Sequence, residues 1–140
     1  MEWDDSIEEP EKERQRLEKL IKEKPDGADA YYQLGVLCEN LNDDEKAIEY
    51  CEKAISINPH KTIYYGFLVF LTIRFDMQKA LDALTNFIEL RPDESDYYTE
   101  RVIDELAYAD GEFAVGYIAK LKAQDKERVA HKMEGWLWNP

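Results

Sequence analysis

The fold of this chain is decided by residues 28–59, which read ADAYYQLGVLCENLNDDEKAIEYCEKAISINP. Apolar residues recur there at intervals of three and four, the pattern of two consecutive amphipathic helices. Gly35 and Ala47 are small, so the two helices can approach closely where these residues face each other. Pro59 cannot continue a helix and therefore ends the unit.

A polar turn separates the two predicted helices, which cover residues 28–41 and 44–57. The turn is Asn42-Asp43, and the carboxylate of Asp43 or of Asp44 can accept hydrogen bonds from the first backbone N–H groups of the second helix. One helix pair cannot bury its own apolar face, so further copies are expected beside it.

Copies of the unit are indicated by the prolines Pro25, Pro59 and Pro92, which follow one another at intervals of 34 and 33 residues. The apolar spacing predicts a second helix pair before Pro92 and a weaker third pair from Ser95 onwards. Single helices are predicted on either side of the three pairs, and we expect them to cover the ends of the stack.

The central unit resembles the tetratricopeptide repeat, whose pattern is an aromatic residue, Leu-Gly, small residues in the second helix and a closing proline. These positions are occupied here by Tyr31, Leu34, Gly35, Ala47, Cys51, Ala54 and Pro59. The resemblance implies an all-α fold, a right-handed α-solenoid of antiparallel helix pairs. It is closest over residues 28–59 and weakest in the third pair, where Arg101 stands at a position usually held by leucine.

The predicted organisation is an acidic flexible tail followed by a single domain of three repeats between two capping helices. The boundaries are 1–9 for the tail, 10–137 for the domain, 10–24 for an N-terminal capping half-repeat, 28–59, 62–92 and 95–124 for the repeats, and 126–137 for the C-terminal cap.

The chain is strongly acidic, with a formal net charge of −13 and a pI near 4.6. This charge argues against nucleic acid and anionic membrane surfaces as partners, because both bind basic surfaces. The first ten residues lack the basic and apolar segments of a signal peptide. The longest apolar run, residues 64–73, is about half the length of a membrane-spanning helix. We therefore expect a cytoplasmic protein.

The residues with reactive side chains form no recognisable catalytic or metal-binding set in the sequence. Cys38 and Cys51 occupy packing positions, so we expect buried, reduced thiols. His60 and His131 are far apart, and the cysteine spacing matches no zinc site. Adjacent carboxylates on a helix diverge and cannot act together on one bond. We predict a non-catalytic protein with no cofactor and no metal.

The resemblance implies that a partner binds in a concave groove lined by the first helix of each repeat. Helical geometry selects the positions that face this groove. The predicted contact residues are Tyr32, Val36, Asn40, Ile63, Phe70, Ile73, Arg74, Thr99 and Ile103. Asp96 and Glu100 lie beside them and would repel the C-terminal carboxylate that the chaperone-binding subclass of the family recognises.

These residues predict a protein–protein interaction module, an adaptor, scaffold or chaperone-like protein that binds an apolar-anchored peptide or helix. Basic residues flanking the apolar anchors of the partner would complement the acidic residues beside the groove, among them Asp96 and Glu100. Two alternatives remain open: the chain's own termini fill the groove, or the apolar residues of the groove join copies of the chain into a homo-oligomer. Trp136 and Trp138 near the C-terminus are further residues on which self-association could depend.

Replacing Ala47 with leucine tests the register of the central helix pair. The larger side chain overpacks the expected approach of Gly35 and Ala47 and should cost about 1–3 kcal/mol of unfolding free energy, measured by urea denaturation. The control, Glu49→Ala on the exposed face of the same helix, should cost almost nothing. Equal losses from the two variants would contradict the predicted register.

Overall fold

The computed structural model describes the backbone of residues 2–138 and the side chains of residues 9–106, 108 and 110–137. Within these residues the regular elements are all helical, which confirms the predicted all-α fold of helical repeats. The α-helices are α1 (Glu2–Glu23), α2 (Ala28–Asn40), α3 (Asp44–Ile57), α4 (Thr62–Thr72), α5 (Met77–Leu90), α6 (Asp96–Ala109), α7 (Gly111–Ala123) and α8 (Glu127–Trp138). A single-turn 3₁₀ helix, Pro92–Glu94, precedes α6.

The chain divides after Tyr64 into two compact units, where the sequence predicts one domain over residues 10–137. The first unit contains α1, α2, α3 and the first turn of α4, and the second unit contains the remainder. Stacked repeats contact mainly their neighbours, so an array of repeats can separate into such units within a repeat.

The first unit contains the helix pair α2–α3. Two residues of the turn between these helices determine where α2 ends and where α3 begins. Asn42 has a φ of 63°, a left-handed conformation that asparagine tolerates, and the Asp43 backbone N–H donates to the Cys38 carbonyl oxygen at 2.8 Å. The Asp43 carboxylate accepts from the Lys46 backbone N–H at 3.3 Å and so caps α3.

Helix α1 packs on the first helix of this pair. Leu17 is almost fully buried against Ala30 and Leu34 of α2. Partly buried apolar side chains surround this cluster: Leu20, Ile21, Leu37 and Tyr50. The helix α1 is therefore held by the apolar stripe that the sequence places on one of its faces.

Tyr64, at the start of α4, is the largest fully buried side chain of the first unit. It packs with Tyr31 and Ala54, and its backbone carbonyl oxygen accepts a hydrogen bond from the Cys51 thiol at 3.2 Å. Burial raises the pKa of the Cys51 thiol to about 12, so the thiol stays protonated and can donate.

The second unit is held by two further aspartate caps and a buried polar network. The Asp76 and Asp110 carboxylates accept from the backbone N–H groups of Lys79 and Phe113, both at 3.1 Å, and cap α5 and α7. The Tyr117 hydroxyl of α7 lies 3.0 Å from Thr85 Oγ1 and donates to Asp82 Oδ1 of α5 at 2.9 Å.

Helix α8 covers α6 and α7 with an apolar face flanked by ion pairs. The Lys132 Nζ lies 2.7 Å from Asp96 Oδ1 of α6, and the Lys122 Nζ of α7 lies 2.7 Å from Glu134 Oε1. The buried side chains of α8 are Val129, Ala130 and Met133. Within the second unit α8 packs on α6 and α7, and its role as a C-terminal capping helix stays a prediction.

The start of α1 differs from the sequence-based expectation, and the start of α6 has an unusual cap. Residues 2–9, expected to form a flexible tail, belong to α1, which passes through Pro10. Pro10 lacks a backbone N–H and so removes one donor from the helix, which continues through it. Ser95 directly precedes α6, but its hydroxyl donates to the Pro92 carbonyl oxygen at 2.8 Å and does not cap the helix.

In the second unit, Tyr98 packs closely against Gly66 of α4. A Cβ atom placed on Gly66 of α4 would lie 2.7 Å from the Tyr98 hydroxyl oxygen and 2.8 Å from its Cζ atom. The Tyr98 ring also packs on Phe87 of α5, with ring centroids 4.9 Å apart. Gly66 therefore leaves the space that the ring of Tyr98 occupies.

Replacing Gly66 with alanine should destabilise the protein, although alanine is ordinarily the better helix former. The displaced Tyr98 ring should outweigh the gain in helix propensity, for a net cost of about 1–2 kcal/mol measured by urea denaturation. The matched control is Gly116→Ala in α7, where nothing lies within 4 Å of the added Cβ atom. This control should gain about 0.5–1 kcal/mol. Equal gains from the two variants would contradict the tight Gly66–Tyr98 contact.

Candidate functional site

The predicted contact residues of the first unit remain at least partly accessible. Tyr32 and Val36 of α2 are half-buried, and Asn40 is exposed. Ile63, in the first turn of α4, keeps 47% of its surface exposed. The Tyr32 ring lies against the Tyr64 ring, with centroids 5.3 Å apart, so the position of Tyr32 is fixed by the buried cluster behind it.

A cavity of about 350 Å³ adjoins two of these residues. It lies between α1 and α2, and mostly apolar atoms form its walls. The lining residues are Glu13, Leu17, Tyr32, Gln33, Val36 and Leu37. The sequence pattern indicated Tyr32 and Val36 but not the contribution of α1. The apolar stripe of α1 signals that Leu17 faces another helix, but not that an opening remains beside it.

Asp29 at the start of α2 joins the exposed surface to the buried Tyr64. The Lys61 Nζ lies 2.7 Å from Asp29 Oδ1, and the Tyr64 hydroxyl donates to the same oxygen. The hydrogen bonds from Lys61 and Tyr64 lower the pKa of Asp29, because both stabilise its ionised form. Burial and the neighbouring Asp29 raise the pKa of Tyr64, which therefore remains a neutral donor.

Exposed aromatic side chains lie on α4 in the second unit. Phe70 keeps 60% of its surface exposed, and its ring stacks on that of Phe67, with centroids 6.2 Å apart and planes at 17°. Arg74 is exposed just after the helix, and Phe75 beside it is 64% exposed. These side chains give the second unit an apolar surface with a cationic edge.

Three of the predicted contact residues are buried in the second unit. Ile73, Thr99 and Ile103 expose 7%, 0% and 1% of their surfaces. Thr99 is accommodated because its hydroxyl donates to the Ser95 carbonyl oxygen at 2.8 Å. Buried side chains offer no surface to a ligand, so in this structure these residues pack the core.

The exposed aromatic residues of α6 lie at other positions than those predicted. Tyr97 and Tyr108 expose 66% and 95% of their surfaces. The repeat pattern is degenerate in this helix, and it does not define the rotation of α6 about its axis. Asp96, next to Tyr97, points to Lys132 of α8, which the local sequence could not indicate.

A second, polar cavity of about 370 Å³ lies between α5 and α7. The Tyr117 hydroxyl forms part of its wall, and burial raises the pKa of this phenol. Amide and lysine side chains form most of the remainder, among them Gln78, Asn86 and Lys120. Three of its polar lining residues, Gln78, Asn86 and Tyr117, already donate hydrogen bonds to Asp82.

The described residues contain neither a metal-binding cluster nor a membrane-spanning helix. No group of three or more His, Cys, Asp or Glu side chains there could hold a metal ion. None of the helices, as far as the structure describes them, is both long and apolar enough to cross a bilayer.

Comparison with protein families identifies the central helix pair. Residues 28–61 match the family model described as tetratricopeptide repeat, which confirms the resemblance drawn from residues 28–59. The matched segment contains α2 and α3 and ends just before α4. A search of curated proteins gave no match.

The ion pair with Lys61 and the hydrogen bond from Tyr64 at Asp29 predict that the free energy of unfolding depends on pH. Because the folded-state pKa of Asp29 is lowered, its stabilising contribution is present above the ordinary value of about 3.8 and is lost as the pH falls through the folded-state pKa. Asp29 is largely exposed, so Asp29→Asn should cost about 1 kcal/mol or less at pH 7. This difference from wild type should shrink in acid, as measured by urea denaturation at a series of pH values.

The control for this experiment is Asp26→Asn, in the exposed turn that follows α1. This variant should keep the wild-type profile. A difference between Asp29→Asn and wild type that stays constant down to pH 2 would contradict the predicted titration.

Proposed function

Because the chain carries a tetratricopeptide repeat, we propose that it is a non-catalytic protein–protein interaction module that binds an apolar-anchored peptide or helix of a partner. Repeats of this family serve protein–protein interaction, and stacked helix pairs present extended surfaces for it. An adaptor, scaffold or chaperone-like role in the cytoplasm fits such a module.

The observation that carries this proposal is the exposure of Phe70. A phenylalanine ring that is 60% exposed and stacked on Phe67 presents apolar surface that water solvates poorly. Covering a side chain of this size on binding contributes up to about 1.5–3 kcal/mol. Aromatic residues of this kind are common anchors of protein interfaces.

The proposed contacts are the accessible members of the predicted set. In the first unit these are Tyr32, Val36, Asn40 and Ile63, and in the second unit Phe70 and Arg74. The buried Ile73, Thr99 and Ile103 are assigned to the packing of the second unit and not to contact.

Charge supports a partner of complementary chemistry. The net charge of −13 favours a partner with lysine or arginine beside its apolar anchors, at positions away from the cationic Arg74. The carboxylates Asp96 and Glu100 are exposed in the second unit, which disfavours a ligand held by its C-terminal carboxylate.

Self-association is the second candidate function, and one observation favours it. An apolar cavity of about 160 Å³ lies between α7 and α8 and is lined in part by Val115, Ile118 and Leu137. Val115 is 49% exposed, so a second copy of the chain could cover this surface. Trp136 is half-buried in the same helix, whereas the side chain of Trp138 lies outside the described residues.

Replacing Phe70 with glutamate tests the proposed surface, which does not include the α7–α8 cavity. An unpaired carboxylate buried at an interface is strongly unfavourable, whereas an exposed one is tolerated in the free protein. Partner capture from the source cell should therefore be lost, with the circular dichroism and melting temperature near those of wild type. The matched control is Phe113→Glu on α7, a partly exposed phenylalanine outside the proposed surface.

Sedimentation of the wild-type and Phe70→Glu proteins shows whether the surface on α4 joins two copies of the chain. A wild-type dimer that Phe70→Glu converts to a monomer would favour self-association through α4. Partner capture at wild-type level by a folded Phe70→Glu protein would reject the proposed surface.

A further inference from the structure

The polar cavity between α5 and α7 is an opening of the second unit that is separate from the surface proposed above. Its volume of about 370 Å³ lies within the range of about 300–1,000 Å³ that small-molecule sites occupy. In the part of the chain that the structure describes, none of the residues proposed to contact a protein partner lines it. Polar side chains form most of its walls, so a ligand of this cavity must be polar.

The floor of the cavity holds one carboxylate in a fixed orientation. Tyr117 and Thr85 expose only 8% and 4% of their surfaces, and their hydroxyl oxygens lie 3.0 Å apart. The Tyr117 hydroxyl donates to Asp82 Oδ1 at 2.9 Å, and Gln78 Nε2 donates to the same oxygen at 3.0 Å. Because the carboxylate is already oriented, a ligand that binds to it does not have to order it.

The wall formed by α5 presents hydrogen-bond acceptors. Both donors engage Asp82 Oδ1, so among the described residues Asp82 Oδ2 has no hydrogen-bond partner. Asn86 Nδ2 donates to the Asp82 carbonyl oxygen at 3.0 Å, which leaves the amide oxygens of Asn86 and Gln78 as acceptors. A primary ammonium group, with a positive charge and three N–H donors, matches this set of oxygens.

The wall formed by α7 and the turn after it presents cations. Lys120 follows Tyr117 by three residues, about 4.5 Å along the helix, and has no ion-pair partner among the described residues. Lys126 lies 3.1 Å from Glu89, but both side chains are exposed, so the pair is weak. Gln124 adds an amide to the same wall. A carboxylate group matches these donors.

We infer that the α5–α7 cavity binds a free α-amino acid with a polar side chain, its ammonium group toward Asp82 and its carboxylate toward Lys120. An anion would be repelled by Asp82 and a cation by Lys120, whereas a zwitterion is attracted by both walls. The two walls face each other across one small cavity, so both charges must belong to one small molecule. This inference goes beyond the proposed function and does not rest on it, because it uses other residues.

The test begins with an NMR titration of the whole chain with L-serine, L-asparagine and L-glutamine at millimolar concentration. The side-chain amide signals of Gln78, Asn86 and Gln124 report directly on the cavity. At least one of the three amino acids should shift these signals to saturation. The inference is overturned if none of them does.

Two derivatives of the tightest-binding amino acid test the zwitterion. The N-acetyl derivative lacks the positive charge and the amide derivative lacks the negative charge, while both keep the side chain. Each should bind about tenfold or more weakly than the amino acid, since each loses one set of charged hydrogen bonds. Equal affinity of the N-acetyl derivative would show an anion site, and equal affinity of the amide a cation site. Either result would overturn the inference.

Two variants assign the charges to the protein. Lys120→Gln and Asp82→Asn each remove one charge from an exposed side chain, and each should weaken the amino acid about tenfold or more. Lys120→Gln should not weaken the amide derivative, which has no carboxylate, and Asp82→Asn should not weaken the N-acetyl derivative, which has no ammonium group. A purely structural effect would weaken the amino acid and the derivative equally, and that result would overturn the assignment of both walls.

The matched control for Lys120→Gln is Lys122→Gln on the same helix. Lys122 lies 2.7 Å from Glu134 of α8 and does not line the α5–α7 cavity, so its loss should leave binding of the amino acid unchanged. Equal weakening by the two lysine variants would show a response to net charge and would overturn the inference. Circular dichroism checks the fold of each variant, and Lys120→Gln decides the question if Asp82→Asn is unfolded.

Discussion

The first unit depends on the burial of Tyr64. Its ring fills the space beside Tyr31 and Ala54, its hydroxyl donates to Asp29, and its carbonyl oxygen accepts from the Cys51 thiol. A buried tyrosine must satisfy its hydroxyl, so the start of α4 has one acceptable position against α2 and α3. The accessible residues Tyr32 and Ile63 owe their positions to this contact.

The second unit has an equivalent tyrosine–aspartate hydrogen bond between two other helices. Tyr117 of α7 donates to Asp82 of α5, and the separation in sequence is 35 residues, as it is for Asp29 and Tyr64. In each unit a tyrosine therefore reaches back about one repeat length to an aspartate. The apolar ring fills the interface between helices and the hydroxyl fixes their register, so one residue type supplies both packing and specificity.

Local signals in the sequence were sufficient to predict the helix pairs. The features that the sequence did not predict depend on packing between helices that are distant in sequence. Asn42 and Asp43 define the turn between α2 and α3 because a left-handed residue and a capping carboxylate act on their immediate neighbours. The burial of Thr99 and Ile103 depends on the rotation of α6, which Lys132 and the apolar face of α8 help to set. The cavity beside Leu17 depends on how α1 lies on α2, and the spacing of residues within one helix does not determine that.

The distribution of cysteine gives the molecule an internal reporter. Both thiols of the chain, Cys38 and Cys51, are fully buried in the first unit, and the sequence has none after Tyr64. Burial raises the pKa of both thiols, so an alkylating reagent can attack them only after the surrounding helices open. The rate of alkylation in the native protein thus measures the opening of the first unit alone, without any introduced label.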